Sequence, residues 1–402
     1  MSNNSNMQNS IAKLLDGEAV EWKPLGEVIK SLKTGLNPRN NFKLNTSDAM
    51  NFYITVREIQ NGKIVFLDKT DKINNQALEL INNRSNLEAG DILFSGTGTV
   101  GKTAVIDEKP KNWNIKEGVY VIKPVQEIVV SKYLSHLFNS KYIVNEYSKK
   151  IVGSPVISLP MSELKKIQIP IPSLHIQTEI VRILDTFTEL TAELTAELTA
   201  RKKQYDYYRD KLLTFKEDEV EWKTLGEIAE NLDYMRKPVT SGLRKSGSIP
   251  YYGASGIVDY VEDYLFEEDL LLISEDGANL LARNTPIAFS ITGKTWVNNH
   301  AHVLKFKTYG ERKFIEYFLN NIDLTPYISG AAQPKLNQKN LNSIKIPILP
   351  LTKLTQIVEI LDKFDALTNS MTEGLPCEIE LRQKQYEYYR DLLLDFPKVE
   401  DK

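Results

Sequence analysis

One cysteine, Cys377, stands in a chain of 402 residues. That scarcity excludes an internal disulfide framework and any cysteine-based zinc site, and it fits a reducing compartment. No apolar run approaches the roughly 18 to 20 residues that a membrane span needs. The opening MSNNSNMQNS has neither a basic nor an apolar leader region, so the expected setting is cytoplasmic with no membrane partner. Positive charge is not in excess either: 50 Lys and Arg against 53 Asp and Glu leave a formal net charge of -3. A protein that binds nucleic acid alone is usually basic over the binding domain. The deficit is a weak objection, because clustered cations set the local field. Lys149-Lys150, Lys165-Lys166, Arg236-Lys237 and Arg244-Lys245 are such clusters, and a near-neutral total suggests that partners supply part of the positive surface.

What the chain does have is self-similarity. Val20-Glu21-Trp22-Lys23 and Leu25-Gly26-Glu27 recur as Val220-Glu221-Trp222-Lys223 and Leu225-Gly226-Glu227. The block from Ile167 to Phe187 recurs from Ile344 to Phe364, and Lys203 to Phe215 recurs from Lys384 to Phe396. Such repetition marks a duplicated structural unit, with the boundary near Lys216. Residues 30 to 150 and 230 to 327 share almost nothing obvious, so one frame carries two unlike inserts. At this length each unit can bury its own core.

Each insert reads as a mixed α/β globule. Gly62 to Leu67, Val119 to Ile122, Leu270 to Ile273 and Ala301 to Phe306 have strand patterns, and helices are expected over Lys132 to Tyr147 and Arg312 to Asn320. The repeated segments read as long helices. Ser173 is a candidate N-cap, and Ile176, Ile180, Ile183, Phe187, Leu190 and Leu194 alternate steps of four and three, the seam of a coiled coil. Roughly forty helical residues span about 60 Å. In the second copy Gly374 and Pro376 predict a break and a fresh start at Pro376. Thr-Ala-Glu-Leu stands in tandem at 191 to 198, keeping Leu190, Leu194 and Leu198 on one slowly drifting face. The tetrapeptides are either a low-complexity solvated helix or an adjustable ruler, and the continuous leucine seam favours the ruler.

Catalytic signatures are weak. Gly96 to Thr103 matches GxxxxGK[ST], but Ala104-Val105-Ile106 is β-rich and Pro110 follows within two helical turns. The segment therefore reads as a hairpin tip whose amides and Lys102 can approach a phosphate, with an ATPase as the lesser alternative. Asn37-Pro38-Arg39 lacks the second proline and the aromatic of an adenine methyltransferase motif. His300 and His302 fall on one face of a strand, as a metal pair would, yet no third ligand is evident, so no metal is expected.

The alternation of two variable inserts with two repeated helical segments, the entries Ile169-Pro170-Ile171-Pro172 and Ile346-Pro347-Ile348, and the QxxIVxIL signature at Gln177 and Gln356 together resemble the specificity subunit (HsdS) of type I restriction-modification enzymes. The tandem TAEL units resemble its IC group. The resemblance covers essentially the whole chain. It implies an α+β fold with two target-recognition domains in pseudo-two-fold arrangement, separated by two long antiparallel coiled-coil helices. Mapped onto this chain, it implies an N-terminal segment (1–16), a first recognition domain (17–172), a TAEL spacer helix (173–216), a second recognition domain (217–350), and a second spacer helix with a tail (351–402). It also implies a non-catalytic subunit that binds double-stranded DNA at a split, asymmetric sequence, together with two methyltransferase (HsdM) and two restriction (HsdR) subunits. S-adenosylmethionine, ATP and Mg would then belong to those partners, and no cofactor to this chain. A protein-binding adaptor with two recognition modules on a coiled coil is the competing class.

For base reading, Arg suits guanine, Asn or Gln suits adenine, and small hydroxyls suit either. The first insert offers Asn37, Arg39, Asn40, Asn41, Lys43, Arg57, Thr97, Thr99 and Lys102. The second offers Arg236, Lys237, Arg244, Lys245, Tyr251, Tyr252, Ser255, Asn279, Arg283, Lys294, Asn298 and Asn299. Gly153 and Gly330 hold equivalent places before the repeated helical entry. Tyr205, Tyr208, Tyr386 and Tyr389 belong to the repeated frame, which assigns them to helix packing or to docking a partner rather than to bases.

Overall fold

A computed structural model describes residues 20–39, 41–330 and 333–397. The expected N-terminal segment, Asn40 and Ala331 lie outside the described residues. Among those described, no helix is long and apolar enough to cross a membrane. Contacts divide the chain into two compact units, one running to Thr195 and resuming at Glu378, the other spanning Ala196–Cys377. The helix expected as spacer is continuous over α1 (Leu174–Leu213), about 60 Å of rise. The second repeated segment forms α2 (Leu351–Asn369) and α3 (Gly374–Leu393). The break falls where expected, but the fresh start is at Gly374 rather than Pro376. Gly374 has φ +73°, and a Cβ there would stand 2.3 Å from the Ala366 carbonyl oxygen, so the turn itself requires glycine.

The first unit contains strands β1 (Glu21–Pro24), β2 (Ile29–Thr34), β3 (Ile92–Ser95), β4 (Thr103–Val105), β5 (Val119–Pro124) and β6 (Gln168–Ile171). The second contains β7 (Glu221–Thr224), β8 (Glu230–Asn231), β9 (Leu270–Ser274), β10 (Ala288–Ile291), β11 (Ala301–Lys305) and β12 (Lys345–Ile348). The repeated Glu-Trp-Lys motif pairs antiparallel with the repeated Ile-Pro entry in the same register: Trp22 faces Pro170 on β1–β6, and Trp222 faces Pro347 on β7–β12. Two-stranded ribbons accept these prolines because each strand has a free edge.

The inserts, unlike in sequence, share a fold. The sheet order β2-β5-β3-β4 in the first unit is β8-β11-β9-β10 in the second. Each unit adds a second sheet containing one parallel pair, Asn51–Ile54 with Trp113–Ile115 in one and Ser246–Gly253 with Lys294–Val297 in the other. The main sheets are buried on both faces, which is why Ile92-Leu93-Phe94 and Leu270 to Ile273 read as unbroken apolar runs rather than alternations.

Each core joins its main sheet to a helical layer. In the first unit Phe94, Tyr120 and Ile122 pack with Tyr133, Leu137 and Phe138, then with Ile176, Ile180 and Leu184 of α1 and Tyr389, Leu393 and Phe396 of the C-terminal segment. In the second, Leu271, Ile273 and Leu304 pack with Phe314, Phe318 and Leu319, then with Leu354, Ile357 and Leu361 of α2 and Leu213 of α1. Two local expectations change. The helix expected over Lys132 to Tyr147 is two helices, Ser131–Phe138 and Lys141–Ser148, because Ser140 caps the second by accepting from the Ile143 amide. The strand expected over 62–67 is only Lys63–Ile64, paired with Ile59–Gln60, while Val65, Phe66 and Leu67 are exposed.

Candidate nucleic-acid interface

Each main sheet ends in a tip that leans on a second loop. In the first unit the tip is the turn between β3 and β4. The Ser95 amide closes it by donating to the Lys102 carbonyl at 2.9 Å, the Lys102 amide donates to Ser95 Oγ at 2.8 Å, and Gly98 (φ +80°) and Gly101 (φ +101°) make the turns. The chain then returns as β4, antiparallel to β3. The helix N-terminus on which a phosphate-binding loop depends does not form there, so the nucleotide-site resemblance of Gly96 to Thr103 is a hairpin.

Beside this tip lies the loop 152–158. Thr97 bridges to Ser158, their hydroxyls are 3.1 Å apart, and the Gly98 amide donates to the Ile157 carbonyl at 2.8 Å. The second unit repeats the pairing: Asp276 bridges to Lys335, and the Gly277 amide donates to the Pro334 carbonyl. Both partner loops turn at a glycine with positive φ. A Cβ on Gly153 would stand 2.5 Å from the Val156 carbonyl oxygen, and a Cβ on Gly330 would stand 2.5 Å from that of Gln333. The two glycines were legible as equivalents in sequence. The loops they shape were not, since Val152 to Ser158 and Ser329 to Lys335 share little besides that glycine.

The first set of expected DNA contacts is mostly available. Thr99 and Lys102 are exposed on the tip and Thr97 is half-buried beside it; Lys102 Nζ makes a long 3.5 Å contact to the Val56 carbonyl. Arg39, Asn41 and Lys43 are exposed in the segment after β2, where the Asn41 amide bonds to the half-buried Asn37 carbonyl. Arg57 is exposed but paired with Asp71 at 3.1 Å.

The second set splits. Lys237, Ser255 and Asn299 are exposed, and so are Lys245 and Lys294, in long ion pairs with Glu262 (3.6 Å) and Glu267 (3.8 Å). Other members make contacts within the fold, and for buried Tyr251 and Asn298 the base-contact expectation is corrected. Tyr251 is buried with its hydroxyl accepting from the Val239 amide, and Arg244 lies 4.4 Å over its ring while pairing with Asp259. Arg283 donates to the Leu319 and Ile322 carbonyls at a helix end. Asn279 staples Thr285 by both its amide and its carbonyl, and buried Asn298 accepts from the His300 amide. Half-buried Tyr252 packs 6.1 Å from Phe289. Composition marks a side chain that can read a base; only packing decides whether it is free to do so.

Arg236 belongs to a buried ion network. It lies 2.6 Å from Glu275 and 3.3 Å from Asp233, and Glu275 also meets Lys335 at 3.0 Å. Burial pushes the Asp233 carboxyl up, but the His302 hydrogen bond and charge outweigh it and hold the group below its ordinary value. Burial likewise raises Glu275, and Arg236 and Lys335 bring it below its ordinary value. Asp233, Glu275 and His302 place ligand atoms within 4.8 Å of one another, a possible cation cage by spacing alone. The guanidinium and ammonium already neutralise both carboxylates, so a metal would have to displace them. His300 is not part of this group: it is exposed and paired with Asp276.

The four repeated tyrosines serve packing. Tyr389 is buried and stacked on Phe187 at 5.4 Å, the Tyr386 hydroxyl meets His136 Nδ1 at 2.9 Å, and Tyr205 and Tyr208 lie on Phe364. Burial pushes the Tyr386 phenol up to about 12, so it remains a donor. Tyr207 and Tyr388, at the same place in the two copies, face outward at 60% and 52% exposure, and Tyr208 is exposed on its side away from Phe364 at 38%. Leu190, Leu194 and Leu198 are all half-buried.

A duplicated frame, two sheets of one topology and two tip-and-loop pairs with different side chains define a class of protein built from two equivalent units. The family described as the type I restriction modification DNA specificity domain matches residues 18–201 and 217–381, and the chain belongs to it. It is 37% identical to the Escherichia coli EcoR124I/EcoR124II specificity subunit over 97% of this chain and 98% of that one. It is 33% identical to the E. coli EcoprrI specificity subunit, over 90% and 92%. Its fold is similar to the crystal structure of the type I restriction-modification S subunit from M. genitalium, with TM-score 0.59 at 18% identity, covering 96% and 99%.

Proposed function

We propose that this specificity subunit has no catalytic activity of its own and reads a bipartite, asymmetric duplex sequence, one half through each tip-and-loop pair. The observation that carries this reading is one scaffold built twice with unlike chemistry at its tips: Thr97, Thr99 and Lys102 with Ser158 in one unit, Asp276 and Lys335 with exposed Ser255 and Asn299 in the other. A shared backbone fits the shared duplex backbone, and unshared side chains specify different bases. Arg39, Asn41, Lys43, Lys237, Lys245 and Lys294 supply further contacts.

A repeated docking surface calls for one kind of partner in two copies. Tyr207 and Tyr388, with the exposed Tyr208 beside Tyr207, carry that role for the methyltransferase subunits, and Tyr205, Tyr386 and Tyr389 hold the helices that present them. S-adenosylmethionine, ATP and Mg bind those methyltransferase subunits and the two restriction subunits. Binding of this chain with its methyltransferase partner to duplex libraries tests the reading. A preferred split sequence, with affinity falling steeply as salt rises, is expected. Absence of sequence preference overturns it, and salt-insensitive capture of protein instead favours the adaptor class.

A further inference from the structure

Each unit brings a third segment to its tip. The strand Asn51–Ile54 runs parallel to Trp113–Ile115 in the first unit, as Ser246–Gly253 runs with Lys294–Val297 in the second. The two arrangements match residue for residue: the Lys116 amide donates to the Ile54 carbonyl at 2.8 Å, and the Asn298 amide donates to the Tyr252 carbonyl at 3.0 Å. One residue earlier, Tyr53 and Tyr251 are both buried, with hydroxyls bonded to the Leu36 carbonyl and the Val239 amide. Two residues beyond the matched carbonyls, the chain meets the tip. Lys102 Nζ lies 3.5 Å from the Val56 carbonyl, and Ser274 Oγ, at the end of β9, donates to the Ala254 carbonyl. The next residue is exposed in both units, Arg57 in one and Ser255 in the other.

Arg57 is held in place along one edge. Its Nε donates to Thr55 Oγ1 at 3.3 Å and its Nη2 to Asp71 Oδ2 at 3.1 Å. The Thr55 hydroxyl in turn donates to Glu58 Oε2 at 2.7 Å, and the fully buried Glu58 also accepts from the Thr55 amide and the Thr70 hydroxyl. Asp71 is itself fixed by the Asn45 amide at 2.8 Å. The side edge of the guanidinium, Nε with Nη2, is therefore turned to the protein. Its end edge, Nη1 with the second hydrogen of Nη2, keeps two parallel donors on a side chain that is 51% exposed. A fork already held in one orientation loses little freedom on meeting a planar pair of acceptors.

Charge decides which acceptors those are. Asp71 at 3.1 Å and Glu58 at 3.8 Å set two carboxylates beside the one guanidinium, so the trio is net negative. A phosphate gains little at such a cluster, because the carboxylates repel it about as much as the guanidinium draws it. Guanine offers O6 and N7 side by side on its major-groove edge, neutral acceptors spaced for the fork, and no other base presents two acceptors together there. We propose that Arg57 is a specificity-determining residue of the first unit that reads O6 and N7 of one guanine, with Thr55, Glu58 and Asp71 as the positioning residues that aim it. This rests on the tips being the base-reading surfaces. Lys102, at the Val56 carbonyl, is left for the adjoining phosphate. Ser255, at the matching place in the second unit, has a hydroxyl that suits any base and makes no such demand.

The test uses the full complex with its methyltransferase partner, on duplexes changed one base pair at a time in either half. The first half should contain one guanine at which discrimination falls about tenfold in Arg57→Ala, with the other positions and the whole second half unchanged. Arg57→Lys, which keeps the charge and loses the fork, should relax the same position and leave the salt dependence as it was. Deazaguanine lacking N7 at that pair should weaken binding by the unmutated complex and make no difference to Arg57→Ala. Evenly weakened binding with a salt slope reduced by about 1 would make Arg57 a phosphate contact and overturn the proposal. Discrimination that survives in Arg57→Ala, or a first half without guanine, overturns it too, and each of these leaves the two-half reading intact. Absence of preference at either half in the unmutated complex overturns both.

Discussion

Single residues show how much of this fold hangs on steric and protonic detail. Gly96→Ala places a methyl 2.1 Å from the Tyr120 ring and should destabilise the first unit by about 1 to 3 kcal/mol; a lower urea midpoint checks it, and the smaller ring of Tyr120→His should recover part of the loss. Asp185 accepts from His136 at 3.0 Å and from Lys132 at 2.6 Å. Burial pushes its carboxyl up, and those hydrogen bonds bring it below its ordinary value of 3.8. A depressed folded value means stability that is present above pH 3.8 and is lost as pH falls through the folded value. Asp185→Asn should therefore cost about 1 kcal/mol at neutral pH, discounted for partial exposure, and the urea midpoints of the two proteins should converge as pH drops. Lys102→Ala should reduce the slope of log affinity for duplex DNA against log salt by about 1.

At the scale of elements, the long helix is the part whose length can be edited. Along α1 the Thr191 and Thr195 hydroxyls return to the Phe187 and Thr191 carbonyls, and the leucines every fourth residue stay half-buried. Removing one Thr-Ala-Glu-Leu unit shortens the helix by about 6 Å without interrupting the seam. Mapping the methylated sites of cells carrying the deletion should reveal a gap shorter by about one or two base pairs, at roughly 3.4 Å per step. An unchanged gap would remove the ruler. The helix boundaries were legible because period and caps are local. The split at Ser140 and the short strand at Lys63 were not, because a cap outbid a continuous pattern in one case and the apolar residues stayed in solvent in the other.

For the whole molecule, the division of labour between frame and insert makes the firmest prediction. Replacing residues 230 to 327 by the corresponding insert of another specificity subunit should change the second half-site and leave the first untouched, read out as the methylated sequence in cells. A change in both halves would contradict independent units. The contact boundary supports the modular view in an unexpected place. It falls between Thr195 and Ala196, inside the tetrapeptide repeat, and the segment from Glu378 joins the first unit because Tyr389, Leu393 and Phe396 complete its core.

The sequence by itself determined the duplication, the helices and the family, because repeats, hydrophobic period and signature motifs are carried by residues close together in the chain. Tertiary structure decided what the two unlike inserts have in common, since equal sheet order and equal backbone bonds leave side chains free to differ. It also decided which polar residues face outward: Arg283 and Asn298 suit a base as well as Lys237 and Asn299 do, yet contacts from distant strands and helices claim the first two. A side chain's chemistry is local, whereas its availability depends on everything folded around it.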